Sequence, residues 1–490
     1  MKPIQPAAMA DPGPPSVPRA TGLSRRGLFG LSGAVAVSGA IAARGQAATL
    51  ATAADDPIAG IVRQAMERGP FPGIVVAVQK GERILYRRGF GHIDVENGVA
   101  ATPEAVFPIG SVTKTMTGLA IMQLVAQGRI TLDDPAGRHI DGLPAPVAAL
   151  RIRNLADHSA GLVGYLDVPG FPRASQDPIT RQQVVDWFAK QPLQFEPGTR
   201  WSYSNSGIYL LGLIIEKVSG LSYDRYLQEH VFAPFGMANS SLAGWARLQP
   251  RRAHGYRLGR DGLENAQRYD PLVAFSAGAV LSTVDDMLRY RRGVFGDGPT
   301  SPAVRGLVLR RDRLKSGTLL PYSLGCLAIA DFEGHRKIGH PGDIFGFSAQ
   351  YAWYPDDDVT IVLLSNIQYG GISIVSVEQK IARVVLGLPQ PVIVDAPLPA
   401  ADAARFSGSY ALGEIRFAVD AMRFTVKDGG LRVGFVKGGE SGPGIPLRYQ
   451  GRGEFVSAHD DEQRFRFEGA GRRRRVFMSS YGSVFEAVAI

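Results

Sequence analysis

Three short stretches of this chain carry residue types that can perform acyl transfer. The first is IGSVTK, residues 109–114, in which Ser111 and Lys114 stand three positions apart. On a helix that spacing puts both side chains on one face, a turn apart. A lysine partly withdrawn from water loses its proton more readily and can activate the serine hydroxyl as a nucleophile. A helix beginning at Ser111 also offers unpaired backbone N–H groups to a developing oxyanion. The second stretch is YSN, Tyr203–Asn205, inside PGTRWSYSNSGIYLLG. Two positions apart on an extended loop, Tyr203 and Asn205 point the same way. A phenol beside a lysine ammonium can be held partly ionised as a general base, and the Asn205 amide can donate to a substrate carbonyl and hold the lysine. The third is HPG, His340–Gly342, read as lying on a strand. There Gly342 lets a substrate backbone approach the strand edge. The N–H of Asp343 can share the oxyanion with that of Ser111. Singly these are weak: Ser-x-x-Lys is common by chance, and Tyr203 alone reads as a half-buried loop aromatic.

The elements that must position these residues are legible from periodicity. PGIVVAVQKGERILYRRGFGHID reads as two strands around a Lys-Gly-Glu turn. SVTKTMTGLAIMQLVAQG is apolar nearly all round and closes at Gly128, which predicts a buried helix beginning at Ser111. SGIYLLGLIIEKVSG (206–220) and STVDDMLRYRRG predict two more helices. GHRKIGHPGDIFGFSAQYAWYPDDDVTIVLLSN then predicts three successive strands, and IVSVEQKIARVVLG a closing helix. Strands early and late with helices between define an α+β layout whose sheet is assembled from both chain ends. Loops around 165–200 and 240–275 are expected to shape the pocket. LPQPVIVDAPLPA (388–400) has the prolines of a linker. Beyond it, IRFAVD, MRFTVKDGGLRVGFV, EFVSA, QRFRFE, RRVFMSS and SVFEAVA alternate as short strands, with KDGG as a hairpin turn, predicting a small all-β, barrel-like domain over 401–490. The run Arg472–Arg475 reads as a solvated strand edge.

The chain of 490 residues carries 45% hydrophobic and 20% charged residues, a globular balance with room for two or three domains. Its single cysteine, Cys326 in YSLGCLAIA, reads as strand core. The first 53 residues differ from the rest. A Pro-rich polar stretch ends in SRRGLF (24–29), followed by the apolar, small-residue run LFGLSGAVAVSGAIAA, shorter than a membrane span. Basic region, apolar region and candidate exits at GQA (45–47) or ATA (51–53) predict a twin-arginine-type export signal, hence a periplasmic or secreted bacterial protein with no stable membrane span after cleavage. Lys2, Arg19, Arg25, Arg26 and Arg44 against Asp11 give that leader +4, leaving +5 of the total +9 for the remainder, too mild to indicate nucleic acid. G-x-S-x-G, phosphate-loop and H-E-x-x-H patterns are absent, so neither metal nor cofactor is expected. Asp356–Asp358 reads as a solvated turn before a strand.

The three stretches, taken with FPIGSVTKTMTGLAIMQLVAQGRITLDDP, LRIRNLADHSAGL and SAGAVLSTVDDMLRY, resemble the serine β-lactamase/penicillin-binding-protein superfamily, on its side of class C β-lactamases, D-aminopeptidases, DD-carboxypeptidases and related esterases. The resemblance covers residues 57–387 and implies a β-lactamase/transpeptidase-like domain over 54–387. By position it implies Ser111 as the acylated nucleophile and Lys114 with Tyr203 as the proton-transfer pair. Asn205 is the implied substrate-amide contact. His340 stands where β-lactamases of this superfamily usually have a lysine that receives the substrate carboxylate. That departure favours an esterase or D-amino-acid-directed peptidase acting on a small ester, amide or peptidoglycan-like peptide. A class C-like β-lactamase and a non-catalytic binding protein are the alternatives. A histidine there is also expected to make anion binding pH-sensitive.

Overall fold

The computed structural model describes residues 56–171, 179–244, 247–267, 269–368, 372–416, 419–480 and 483–490. The arginine pair and exit sites of the expected leader lie outside them. The scaffold is an antiparallel sheet. Gly73–Lys80 (β1) and Arg83–Asp94 (β2) form its early hairpin. Ala328–Phe332 (β3), His335–Ile344 (β4), Phe347–Tyr354 (β5) and Val359–Ser365 (β6) come from much later in the chain. The spatial order is β3-β4-β5-β6-β1-β2, with Val99–Ala100 on the outer edge. The seam between the two halves is β1 against β6, with Val76 opposite Leu363.

The central strands are apolar on both faces because both faces are covered. The main helices around the sheet and its second core are Pro57–Arg68 (α1), Thr113–Ala126 (α2), Asn205–Ser219 (α3), Pro271–Gly278 (α4), Val284–Phe295 (α5) and Ile374–Leu386 (α6). Alternation along β1 divides two cores: Ile74, Val76 and Val78 pack with α1 and α6, while Val75 and Ala77 pack with the core built on α2, α3 and α5. Helix α2 runs through the middle of the second core, and Lys114 is one of its fully buried residues. Local signals set the helix ends as the sequence predicts. Gly220 closes α3 in the left-handed conformation, and Thr283 caps α5 by accepting from the Asp286 N–H. Two local expectations change. Ser111 lies on a 3₁₀ turn, Gly110–Val112, and α2 proper starts at Thr113. Cys326 is buried in a turn with φ 59° rather than in a strand.

The C-terminal part is an eight-stranded antiparallel barrel. Its strands are Gly408–Leu412 (β7), Ala421–Lys427 (β8), Gly430–Lys437 (β9), Ile445–Gly451 (β10), Glu454–Ser457 (β11), Arg464–Glu468 (β12), Arg475–Ser480 (β13) and Ser483–Ala489 (β14). They run β8-β7-β14-β13-β12-β11-β10-β9, and β8 pairs with β9 to close the ring. Asp428 and Gly429 take positive φ (52° and 74°) in the KDGG turn, as a two-residue hairpin needs. Phe406, Tyr410, Phe424, Phe455 and Phe467 pack ring against ring in the interior, so the barrel is filled by its own side chains. The IRFAVD segment departs from expectation. Ile415–Arg416 leaves the barrel and pairs in parallel with Trp201–Ser202, the residues just before Tyr203.

On another side the barrel loop Asp460–Glu462 is clamped to α6. Arg383 pairs with Glu462 at 2.7 Å, and Lys380 with Asp461 at 3.0 Å. The linker residues 388–399 form neither helix nor strand, yet they are tied to the barrel by the Ala396 N–H to the Tyr449 carbonyl (3.1 Å).

Candidate active site

Three chain segments meet at Ser111. The first is its own 3₁₀ turn. Gly110 has φ 50°, and a Cβ there would lie 2.9 Å from the Asp343 nitrogen. A Cβ on Gly342 would lie 2.1 Å from the Ile109 carbonyl oxygen. These two glycines let β4 and the serine turn pack backbone against backbone, which sets the turn that carries Ser111 against the Asp343 backbone. The missing side chain of Gly342 thus makes room for the serine turn.

The second segment carries Tyr203. The Tyr203 hydroxyl donates to Ser111 Oγ at 2.8 Å. His158 fixes the ring: its imidazole lies 4.6 Å from Tyr203 and 4.7 Å from Tyr322, centroid to centroid. His158 Nδ1 accepts from the Ser204 N–H at 3.2 Å, and burial holds the imidazole neutral. Asn205 opens α3 rather than continuing an extended loop. Its side chain lines the cleft and is not among the partners of Lys114.

The third segment explains Lys114. Its Nζ is hydrogen-bonded to Ser111 Oγ at 2.8 Å and to the Ala277 carbonyl at 2.6 Å. That carbonyl is aimed by a kink in α4, where Phe275 takes φ 37°, ψ −127°, a rare and strained conformation for a side-chain-bearing residue. Among the described residues no carboxylate pairs with Lys114. Burial therefore dominates and lowers its pKa from 10.5 to about 7. The same burial pushes the Tyr203 phenol well above its ordinary 10, so a partly ionised tyrosine is not the resting state. Lys114 Nζ and the Tyr203 hydroxyl thus converge on the same Ser111 oxygen.

His340 is 3% exposed. Its Nδ1–H donates to the Pro341 carbonyl, and its Nε2 accepts from the Tyr322 hydroxyl at 2.8 Å. Burial, reinforced by Lys114, lowers its pKa to about 3. The expected pH-sensitive anion contact is thereby corrected: this imidazole is neutral throughout the physiological range, with both nitrogens engaged. The Asp343 carboxyl faces the cleft, and burial raises its pKa to about 7. Tyr322 and the Ala277 carbonyl were not singled out from sequence. No side-chain pattern marks a backbone carbonyl, and Tyr322 is 18 residues from His340 along the chain.

The cleft has a volume of about 330 Å³, and its wall is largely apolar, with Tyr165, Trp201, Tyr269, Tyr322 and Phe345 among its aromatic members. Two carboxyls, Asp167 and Asp343, line it; among the described residues no arginine or lysine does.

A mixed fold with a serine turn packed on the edge of an antiparallel sheet defines the β-lactamase/transpeptidase class. The chain belongs to the beta-lactamase family, whose model matches residues 58–382. It is 30% identical over 318 residues to penicillin-binding protein 4* of Bacillus subtilis (strain 168), covering 61% of this chain and 69% of that one. It is 29% identical over 359 residues to protein Rv1367c of Mycobacterium tuberculosis (strain ATCC 25618 / H37Rv), covering 63% and 88%. Among solved structures, an octameric penicillin-binding protein homologue from Pyrococcus abyssi superposes with a TM-score of 0.62 at 22% identity, over 88% of this chain and 99% of that one. A D-amino acid amidase from Ochrobactrum anthropi SV3 gives 0.59 at 23% identity, over 68% and 98%. The larger coverage in the first case extends the shared fold beyond the family-matched region. Among the described residues no helix is long and apolar enough to cross a membrane.

Proposed function

We propose that this protein is an exported serine hydrolase that acts through an acyl-enzyme on ester or amide bonds, of esterase or D-amino-acid-directed peptidase type. The observation that carries the reading is the triangle at Ser111. Lys114 Nζ and the Tyr203 hydroxyl both lie 2.8 Å from Oγ, at the floor of a cleft. Lys114, neutral at pH 8, takes the serine proton as Oγ attacks the carbonyl carbon. The Ser111 and Asp343 N–H groups receive the oxyanion. Tyr203 relays the proton from Lys114 to the leaving group, and the reverse relay activates the water that releases the acyl group. Asn205 donates to the substrate carbonyl beyond the scissile bond.

The cleft chemistry favours substrates without a carboxylate near the reacting carbonyl. A β-lactam or a peptide ending in a free carboxylate would meet neutral His340 and the Asp343 carboxyl there, and the nearby Lys437 is already paired with Asp167. A neutral ester suits such a wall, and an amino-acid amide could place its ammonium against Asp343. Export rests on the leader sequence alone.

The test is intact-mass spectrometry of the mature wild type and Ser111→Ala after exposure to a fluorophosphonate and, separately, to benzylpenicillin, with penicillin loss followed in parallel. The expected result is a fluorophosphonate adduct that Ser111→Ala lacks, with neither a lasting penicillin adduct nor rapid penicillin loss. A persistent penicillin adduct would move the assignment to peptidoglycan-type substrates. Rapid penicillin loss would move it to a β-lactamase. No adduct from either reagent would favour a binding protein.

A further inference from the structure

The barrel reaches the cleft. Phe485, on β14 near the C-terminus, lines the same cavity as Ser111 and is 4% exposed. Three attachments hold it there. Ile415–Arg416 pairs with Trp201–Ser202, and the Trp201 N–H donates to the Glu414 carbonyl at 2.8 Å. The Glu414 carboxylate accepts from Ser316 Oγ (2.7 Å) and Thr318 Oγ1 (2.8 Å) on the catalytic side. At the end of β9, Lys437 pairs at 2.6 Å with Asp167, itself a cleft residue. The clamp of Asp460–Glu462 on α6 fixes the opposite side of the barrel. A wall tied at such separated points does not swing aside easily, so it acts as a fixed boundary.

We propose that the barrel is part of the active site and that Phe485 is a specificity-determining residue, closing one side of the cleft and limiting the length of the apolar group a substrate can place there. The inference rests on the serine-hydrolase reading above. Its substrate class is small esters or amides bearing a short alkyl or aryl group, about what a 330 Å³ cavity holds. An aromatic ring at a pocket end rejects an oversized group steeply, by about tenfold or more for each excess methylene.

The experiment uses the full mature chain. Wild type, Phe485→Ala, Phe485→Leu and Phe485→Trp are compared on p-nitrophenyl esters from acetate to decanoate, and each is labelled with a fluorophosphonate. The expected result is that Phe485→Ala moves the optimum of kcat/KM to longer acyl chains and raises the decanoate-to-acetate ratio at least tenfold. Phe485→Leu should do so less, and Phe485→Trp should shift the optimum to shorter chains. Should Phe485→Ala fail to fold, the Leu and Trp variants give the same reading in opposite directions. A ratio within twofold of wild type in every folded variant overturns the inference, provided that Ser111 is labelled. Absence of labelling and turnover in the wild type would overturn the hydrolase reading instead, so the two failures are distinguishable.

Discussion

Lys114→Met should inactivate the protein and, at mildly acidic pH, stabilise it. Lys114 is fully buried and has no described carboxylate to pair with. The fall of its pKa from 10.5 to about 7 corresponds to about 5 kcal/mol against the ammonium in the folded state, at about 1.4 kcal/mol per pH unit. Below pH 7 the folded and unfolded chains both hold the proton, so the folded chain bears that penalty in full. Between pH 7 and 10.5 the unfolded chain binds more protons, so wild-type stability rises with pH. Methionine fills a similar volume without the charge. It leaves the Ala277 carbonyl without its partner, at about 1–3 kcal/mol. The variant should therefore be about 2–4 kcal/mol more stable than wild type at pH 6. The advantage should shrink by about 3 kcal/mol by pH 9, two pH units above the midpoint, and so largely vanish. Urea unfolding of both proteins at pH 6, 7, 8 and 9 measures this difference directly. A difference that is constant across that range would refute a neutral Lys114, and with it the assignment of this residue as the base.

Three further outcomes follow from the same geometry. Tyr203→Phe keeps the ring against His158 but removes the donor to Ser111, so kcat/KM should fall about 10²–10⁴-fold with little change in unfolding midpoint; a loss below tenfold would remove Tyr203 from the relay. The acid limb of kcat/KM, measured in Asp343→Asn to exclude the carboxyl that also titrates near 7, should follow one proton with a midpoint near 7 and activity rising with pH. A two-proton limb between pH 5 and 7 would show that His340 titrates there, against its depressed pKa of about 3. Glu462→Ala strips Arg383 of its buried partner while leaving the more exposed Glu333. It should destabilise by about 3 kcal/mol, the low end for a broken buried pair, read as a lower urea midpoint of the barrel transition.

The sequence was most legible where local chemistry and long-range packing agree. Apolar runs on β1 and β6 are buried on both faces, and GIVVAVQK reads as a strand from its own composition. The approach of Ser111, Lys114 and Tyr203 to one another is also legible, because three ordered motifs constrain one another more than any one does. Protonation was less legible. A lysine beside a tyrosine suggests a charge stabilising a phenolate, but 0% exposure at Lys114 suppresses the charge that the phenolate would need. His340 fails as a charged anion contact for a similar reason: burial, reinforced by Lys114, suppresses its charge, and its Nε2 is already engaged by Tyr322 from the turn before β3.

The barrel shows the limit most clearly. IRFAVD alternates as a strand should, and Ile415–Arg416 forms one, but its partner is Trp201–Ser202, more than two hundred residues upstream. Periodicity specifies that a segment will pair and which faces it presents; it does not specify with what. SVFEAVA likewise puts Phe485 on the inward-facing set of β14 with Ala487, both buried. At Ala487 that set packs in the barrel core, whereas at Phe485, near the strand's start, it also borders the cleft. The end of the barrel that supplies this ring also sends out Ile415–Arg416 to pair beside Tyr203. A single docking geometry therefore fixes both a wall of the cleft and the backbone that leads into the Tyr203 segment. Truncation near residue 390 should on this argument do more than widen the cleft: by removing the partner of Trp201–Ser202 it should also loosen the approach to Tyr203. The expected signature is a fall in kcat even for p-nitrophenyl acetate, the shortest ester. Truncated protein that is folded and turns over acetate at the wild-type kcat would show that the barrel supplies a wall and nothing more.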